Sequence, residues 1–340
     1  MLNLITDVDG VAVGNAHDLK LLSGATTILF ERPAVASVSV LGGAPAGRDL
    51  GCLEPDATVE AIDAIVLSGG SGFGLDAASG AQAWLREQER GFAVGTVRVP
   101  IVPSAICFDL LNGGDKGWGR YPPYRELGFN ATADAKRGAF ALGSVGAGCG
   151  AGTVDCKGGL GSASARTSAG HTVGAIVVVN ALGSAMIGDG PHFWAAGLER
   201  GAEFGGLGWP AAVTPQTQAL AWKGSGPARS ASARLQPATT IACVATDARL
   251  DKAQARRLAI SANDGLARGL RITHAMMDGD TVFSAATGAR ALGDARQELI
   301  EIGAVAADCL ARAIARAVFE ADIPAPHWSG PPSWQQRFGR

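Results

Sequence analysis

Histidine, tyrosine and one-sided charge are all scarce in this chain. Only five histidines are scattered over 340 residues, so a zinc cluster or other metal site is not expected. The six cysteines, at 52, 107, 149, 156, 243 and 309, include no CxxC pair. Several lie inside apolar runs, where cysteine behaves as a small core residue. The N-terminus, MLNLITDVDG, carries acidic residues and no basic stretch, unlike a secretory signal. Together these features point to reduced thiols in a cytoplasmic protein. No run approaches the ~20 apolar residues of a membrane-spanning helix. A formal net charge of −2 provides no basic field, so neither nucleic acid nor a membrane surface is an expected partner.

Apolar residues and glycine are plentiful. Hydrophobic residues make up 47% of the chain, enough for a sizeable core in one large domain or two ordinary ones. The 48 glycines fall in short clusters between apolar runs rather than in a repeat, which predicts tight turns and close backbone packing. TTILF (26–30), VASVSVL (35–41) and AIDAIVL (61–67) read as strands. SGGSGFGLDAASGAQAWLREQE follows as a glycine turn and a helix, with Ala77, Ala81, Trp84 and Leu85 at helical spacing. The stretch 93–107 is extended and broken by proline, and 172–189 reads as a long strand or a hairpin. HFWAAGLERGAEFGG suggests a short helix. From about 206 to 238 the composition turns to Gly, Pro, Ser, Gln and Arg, the best linker candidate in the chain. Beyond it come a strand (239–250), an amphipathic helix (251–270) with Asp251 as N-cap, two strands around a turn at Asp278-Gly279-Asp280, and a long helix (295–322). Strands mixed with long helices indicate layered packing.

Several residues stand out chemically, each with an ordinary alternative. GGSGFG (69–74) lies between a strand and a helix, but Gly70, Gly72 and Gly74 do not give GxGxxG. A tight turn is expected there rather than a dinucleotide site, and no cofactor is anticipated. Lys157 closes a glycine-dense segment that lacks the Walker order; it is either solvated or held by backbone near a site. Asn180 ends an apolar strand, as a turn residue or as an oxyanion donor. Asp278 and Asp280 are either turn chemistry or paired carboxylates that orient a hydroxyl and an amine. Thr239 opens a buried strand directly after the linker. It is either a strand-forming threonine or a nucleophile whose base is its own α-amine, which exists only if the bond after Ala238 is cut.

The motifs ITDVDGVAVGNAHD, VLSGGSGFGLDAASG, VGAGCGAG, KGGLGSAS, TVGAIVVVNALG, TTIACVATDA and MDGDTVFSAATG occur in that order. Together the seven closely resemble the DmpA-like family of self-processing hydrolases (the L-aminopeptidase/D-esterase type), which includes β-aminopeptidases and the nylon-oligomer endohydrolase. The match spans about residues 3 to 320. It implies an α+β fold, a four-layer α/β/β/α sandwich like that of N-terminal nucleophile hydrolases and shared by ornithine acetyltransferases. It also implies a single catalytic domain, 1–340, made as a precursor that splits into 1–238 and 239–340. By resemblance, Thr239 is the nucleophile, Asn180 the oxyanion-hole residue and Lys157 the lysine of the KGG motif. Asp278 and Asp280 match the supporting acidic pair, whose DGD form is closest to the nylon-oligomer branch. The implied activity is cleavage of amide or ester bonds in small peptides, amino-acid amides or oligomers, by a homo-oligomer of tetramer size or larger. Two positions depart from the pattern. Relatives often carry Asn or Gly where this chain has Ala238, and some carry a Tyr before KGG where this chain has Val154, Asp155 and Cys156. An acyltransferase of the same fold, an uncleaved inactive member and a cofactor-binding oxidoreductase are the alternatives.

Overall fold

The protein is described from a computed structural model that covers residues 1–225 and 237–339. Of the expected linker, residues 226–236 lie outside the described residues. In chain order the strands are β1 (Val11–Asp18), β2 (Ser23–Val40), β3 (Gly47–Arg48), β4 (Ile62–Ser68), β5 (Phe92–Val94), β6 (Val97–Val99), β7 (Ser104–Ile106), β8 (Leu160–Arg166), β9 (Thr172–Asn180), β10 (Thr239–Ala248) and β11 (Thr281–Arg290). The helices are α1 (Asp76–Glu87), α2 (Tyr124–Ala133), α3 (Lys252–Ala262), α4 (Asp264–Gly269), α5 (Ala295–Phe319) and α6 (Trp334–Phe338).

The two runs TTILF and VASVSVL form one strand, β2, not two. Glu-Arg-Pro between them offers no turn chemistry, and Pro33 favours extended backbone at Arg32. The strand's pairing with β4 slips between Leu29 and Ala34. Its first half pairs with β1 and β4, and its second half pairs with β11. β2 is thereby shared by two sheets, with neighbours in the order β3-β7-β4-β2-β11-β10-β9-β8.

Three apolar clusters show the layering. One lies between the sheets and takes Ile28, Phe30, Ile65 and Leu67 from one side and Val178, Ile241, Cys243 and Phe283 from the other. A second lies between β4 and helices α1 and α2, through Ala64, Val66, Ala77, Ala81 and Leu127. The third joins β8–β11 to α3, α4 and α5, through Val177, Val244, Leu258, Leu266 and Leu310. This is a four-layer α/β/β/α sandwich. Because the central strands are covered on both faces, they read as continuous apolar runs rather than alternating ones.

Alternation along the strands also aims the site residues. Ile241 and Cys243 face the space between the sheets, so Thr239, two residues earlier, shares their face. Asn180 likewise shares the face of Ile176 and Val178. Thr239 is paired with Asn180 in the antiparallel ladder. β10 and β11 are parallel, which requires the helical crossover that α3 and α4 provide.

Several sequence expectations need correction. The expected helix 251–270 is two helices: Asp251 caps the first through Gln254 N–H at 2.7 Å, and the chain turns at Asn263. Gly265 then lies so close to α5 that a Cβ there would come within 2.4 Å of the Ala307 carbonyl oxygen. The first strand expected before the DGD turn does not form, because Ile272 (φ 77°) and His274 (φ 58°) are left-handed. Thr172–Asn180 is one strand followed by loop, and the expected short helix is the 3-10 turn Trp194–Leu198.

Candidate active site

The ends of β9, β10 and β11 bring together Asn180, Thr239, Asp278 and Asp280, whereas Lys157 lies on the glycine loop before β8. The bond between Ala238 and Thr239 is buried, with Ala238 1% and Thr239 4% exposed. It is thus not in an exposed linker, as its sequence context suggested. Ala238 is stitched to the DGD turn: its N–H donates to the Met277 carbonyl (3.1 Å), and its carbonyl accepts from Gly279 N–H (3.0 Å). The Thr239 hydroxyl donates to that same carbonyl oxygen at 2.5 Å. The nucleophile candidate therefore lies beside the bond it would cut, and a backbone N–H already points at the carbonyl oxygen.

The two aspartates have different tasks. Asp280 Oδ1 accepts from Thr240 N–H (2.9 Å) and Oδ2 from His274 N–H (2.8 Å), with His274 Nδ1 3.0 Å from Oδ2. Asp278 Oδ2 accepts from Ala275 N–H (3.2 Å), while its Oδ1 has no partner among the described residues. Burial first, and the neighbouring Asp280 second, push the Asp278 carboxyl up to about 6. The left-handed turn at Ile272 and His274 brings these N–H groups round to the carboxylates. Gly42 closes the other side; a Cβ there would be 2.2 Å from Asp280 N.

Asn180 is fully oriented. Its Oδ1 accepts from Gly152 N–H (3.1 Å) and from Lys223 Nζ (3.2 Å), and its Nδ2 donates to the Phe108 carbonyl (2.8 Å). Lys157 is completely buried, and its three donors meet the carbonyls of Gly148 (3.1 Å), Ala151 (2.7 Å) and Gly158 (2.7 Å). Trp328 covers the ammonium, 4.8 Å from ring centre to Nζ. Burial pushes the Lys157 ammonium down to about 7, against the pull of Cys149, Cys107 and Asp109. Among the described residues, the Lys157 ammonium hydrogen-bonds to neither Thr239 nor Asn180. It braces the glycine loop whose Gly152 N–H holds Asn180.

Sequence reading missed Lys223, Asp109 and Gly279. Lys223 lay in a segment whose composition marked it only as linker, and no sequence signal distinguished it. The turn at GGSGFG serves Asp109 and Tyr124. Gly70 N–H donates to Asp109 Oδ1 (2.7 Å), and a Cβ on Gly70 would sit 2.1 Å from the Tyr124 ring. A cavity of about 610 Å³ opens beside Asn180, walled by Phe108, Trp222, Lys223, Pro237 and Trp328. Among the described residues, no cluster of three His, Cys, Asp or Glu side chains is arranged to ligate a metal.

A strand-end threonine facing an asparagine, between two sheets sandwiched by helices, defines a class of fold. The same architecture is found in a β-aminopeptidase from Burkholderia sp. (TM-score 0.67, 23% identity, 95% of this chain and 88% of that one). It is also found in the L-aminopeptidase D-Ala-esterase/amidase of Ochrobactrum anthropi (TM-score 0.66, 21% identity, 94% and 87%), described as a new variant among the Ntn hydrolase fold. The chain belongs to peptidase family S58, whose sequence model matches residues 3–325, and it is accordingly a hydrolase of amide bonds. An uncharacterised aminopeptidase of Mycobacterium tuberculosis (strain ATCC 25618 / H37Rv) is 39% identical over 99% of this chain and 98% of its own length. The 6-aminohexanoate-oligomer endohydrolase of Paenarthrobacter ureafaciens is 28% identical over 83% and 74%.

Proposed function

We propose that the chain cuts itself between Ala238 and Thr239 and then works as an N-terminal-threonine aminopeptidase or amidase on small peptides, amino-acid amides or their oligomers. The observation that carries this reading is the buried scissile bond, with the Thr239 hydroxyl and Gly279 N–H both on the Ala238 carbonyl oxygen. An outside protease has no access to such a bond, whereas the neighbouring hydroxyl is already hydrogen-bonded to its carbonyl oxygen.

In the processing step, Thr239 Oγ1 attacks the Ala238 carbonyl carbon and gives up its proton. Gly279 N–H steadies the oxyanion, the C–N bond breaks as nitrogen takes a proton, and an ester remains. Water hydrolyses the ester, leaving the Ala238 carboxylate and a free Thr239 amine. The residue before the cut contributes little beyond its placement, so alanine suffices. The α-amine, with an ordinary pKa of about 8, then serves as the base for its own hydroxyl near neutral pH. Oγ1 attacks a substrate carbonyl, Asn180 Nδ2 donates to the oxyanion, and the amine leaves with a proton. Water releases the acyl group from Thr239. Asp280 fixes Thr240 and the entry of β10, Asp278 supplies a carboxylate next to the cut, and Lys157 holds the glycine loop.

The names of the relatives support the substrate class: aminopeptidases, an esterase/amidase and an oligomer endohydrolase. We further propose a cytoplasmic homo-oligomer, as the resemblance and the cysteine spacing read from the sequence imply. The test is intact mass under denaturing conditions. Two fragments meeting at Ala238/Thr239 are expected, and Thr239→Ala should give one uncut, inactive chain. A wild-type protein that hydrolyses an amino-acid p-nitroanilide while uncut would overturn the reading.

A further inference from the structure

Asn180 must present its N–H, and not its carbonyl, to a developing oxyanion. The terminal torsion of an asparagine is soft and roughly two-fold, so the neighbours decide which way the amide points. Gly152 N–H and Lys223 Nζ both donate to Oδ1, and the Phe108 carbonyl accepts from Nδ2. A flipped amide would set NH2 against two donors and oxygen against oxygen. Lys223 also donates to the Asn180 main-chain carbonyl (3.3 Å), and its own N–H donates to the Leu182 carbonyl (3.0 Å). Its side chain therefore follows the strand end that carries Asn180. It also lines the cavity that adjoins the site.

From this geometry we infer that Lys223 is a positioning residue for the hydrolytic reaction: its ammonium locks and polarises the Asn180 amide so that Nδ2–H faces the substrate oxyanion. The inference rests on the proposed role of Asn180. A cation on the carbonyl oxygen of an amide withdraws electron density and strengthens the opposite N–H as a donor, the cooperative effect of linked hydrogen bonds. The processing step does not need it, because the Ala238 carbonyl is served by Gly279 N–H. Lys223 thus acts after the cut, from the fragment that carries no nucleophile.

The charge state of Lys223 enters directly. Burial pushes its ammonium down to about 8, opposed by Cys107 on the loop after β7 and by Asp278 on the DGD turn. Lys157, behind the glycine loop, is the nearby like charge. Hydrolysis needs a neutral Thr239 amine and a charged Lys223. The wild-type kcat/KM against pH should therefore be bell-shaped, with its falling limb near pH 8.

The test uses the full-length protein, an amino-acid p-nitroanilide, and the variants Lys223→Met and Lys223→Arg. Lys223→Met should still be cut to the same two masses. Its kcat should fall about 10-fold, a part of the roughly 10²–10³ that loss of an oxyanion donor costs, with KM little changed. The falling alkaline limb should vanish. Lys223→Arg, which stays charged, should recover most of kcat and carry the limb to higher pH. A Lys223→Met protein with the parent's kcat and pH profile overturns the inference. So does one that is folded but uncut, since that places Lys223 on the processing step. If Lys223→Met does not fold, the shifted or unshifted limb of Lys223→Arg decides. Failure of the underlying reading is separate: it shows as full kcat in Asn180→Ala, or as activity surviving in Thr239→Ala.

Discussion

Replacing Asn180 with alanine separates the two reactions. The proposed processing step would use Gly279 N–H, which donates to the Ala238 carbonyl at 3.0 Å, a contact that Asn180 does not share. Asn180→Ala should therefore be cut normally. Substrate hydrolysis loses its side-chain oxyanion donor, worth about 2.7–4 kcal/mol, so kcat should fall by roughly 10²–10³ with little change in KM. The fold also loses something calculable. Gly152 N–H and the Phe108 carbonyl each lose the side-chain partner they have in the structure, whereas Lys223 can turn to water in the cavity. At about 1–3 kcal/mol for each of these two buried groups left unpaired, the cost is about 2–6 kcal/mol, read as a fall of several degrees or more in the thermal midpoint. That measurement belongs on a Thr239→Ala background, where the chain stays whole. The assays are denaturing mass, steady-state hydrolysis of an amino-acid p-nitroanilide, and calorimetry. An uncut Asn180→Ala protein would refute the division of labour between Gly279 and Asn180. One with full kcat would refute the oxyanion assignment.

Other perturbations give equally direct readings. In Gly279→Ala the new methyl would come within 3.0 Å of both Thr239 Oγ1 and the Ala44 carbonyl, so uncut precursor should accumulate on the mass spectrum. Asp278, raised from 3.8 to about 6 in the fold, binds a proton that the unfolded chain has already lost; its contribution to stability is present below pH 4 and fades as pH rises through 6. Asp278→Asn should flatten that part of the thermal midpoint against pH. Lys157, lowered from 10.5 to about 7, works the other way: the unfolded chain holds the proton longer, so stability through this group should rise from pH 7 towards 10. Lys157→Met should remove that slope.

The sequence carried the strands and the strand-end site residues clearly, for physical reasons. The centre of β10, Ile241–Ala245, is an apolar run because both of its faces are covered, and Asp251 capped its helix where a capping aspartate was expected. Thr239 and Asn180 stood out because each is a polar residue at the end of such a run. What sequence could not show was what depends on tertiary approach. Ile272 and His274 look like a strand by composition, yet two aspartates downstream draw the backbone into a left-handed turn. The break at Asn263 follows from the close seat of Gly265 on α5. Lys223 sits among linker-like residues, and only the fold brings it to Asn180. The burial of the Ala238–Thr239 bond was likewise hidden, because the polar residues that precede it suggested exposure.

The sheet order has a consequence for how the protein is made. β10 and β11 sit inside the sheet, flanked by β9 on one side and by β2 on the other, and both flanking strands precede the cut. If the proposed cut is made, 239–340 remains clamped between strands of 1–238 and cannot leave without tearing ladders on both sides. Folding of the precursor is a first-order event; reassembly of the mature protein after denaturation is second-order and slows on dilution. On the proposed reading, the intact chain acts as its own template once, and a cut enzyme would persist by the slowness of its unfolding rather than by any ready return from the unfolded state.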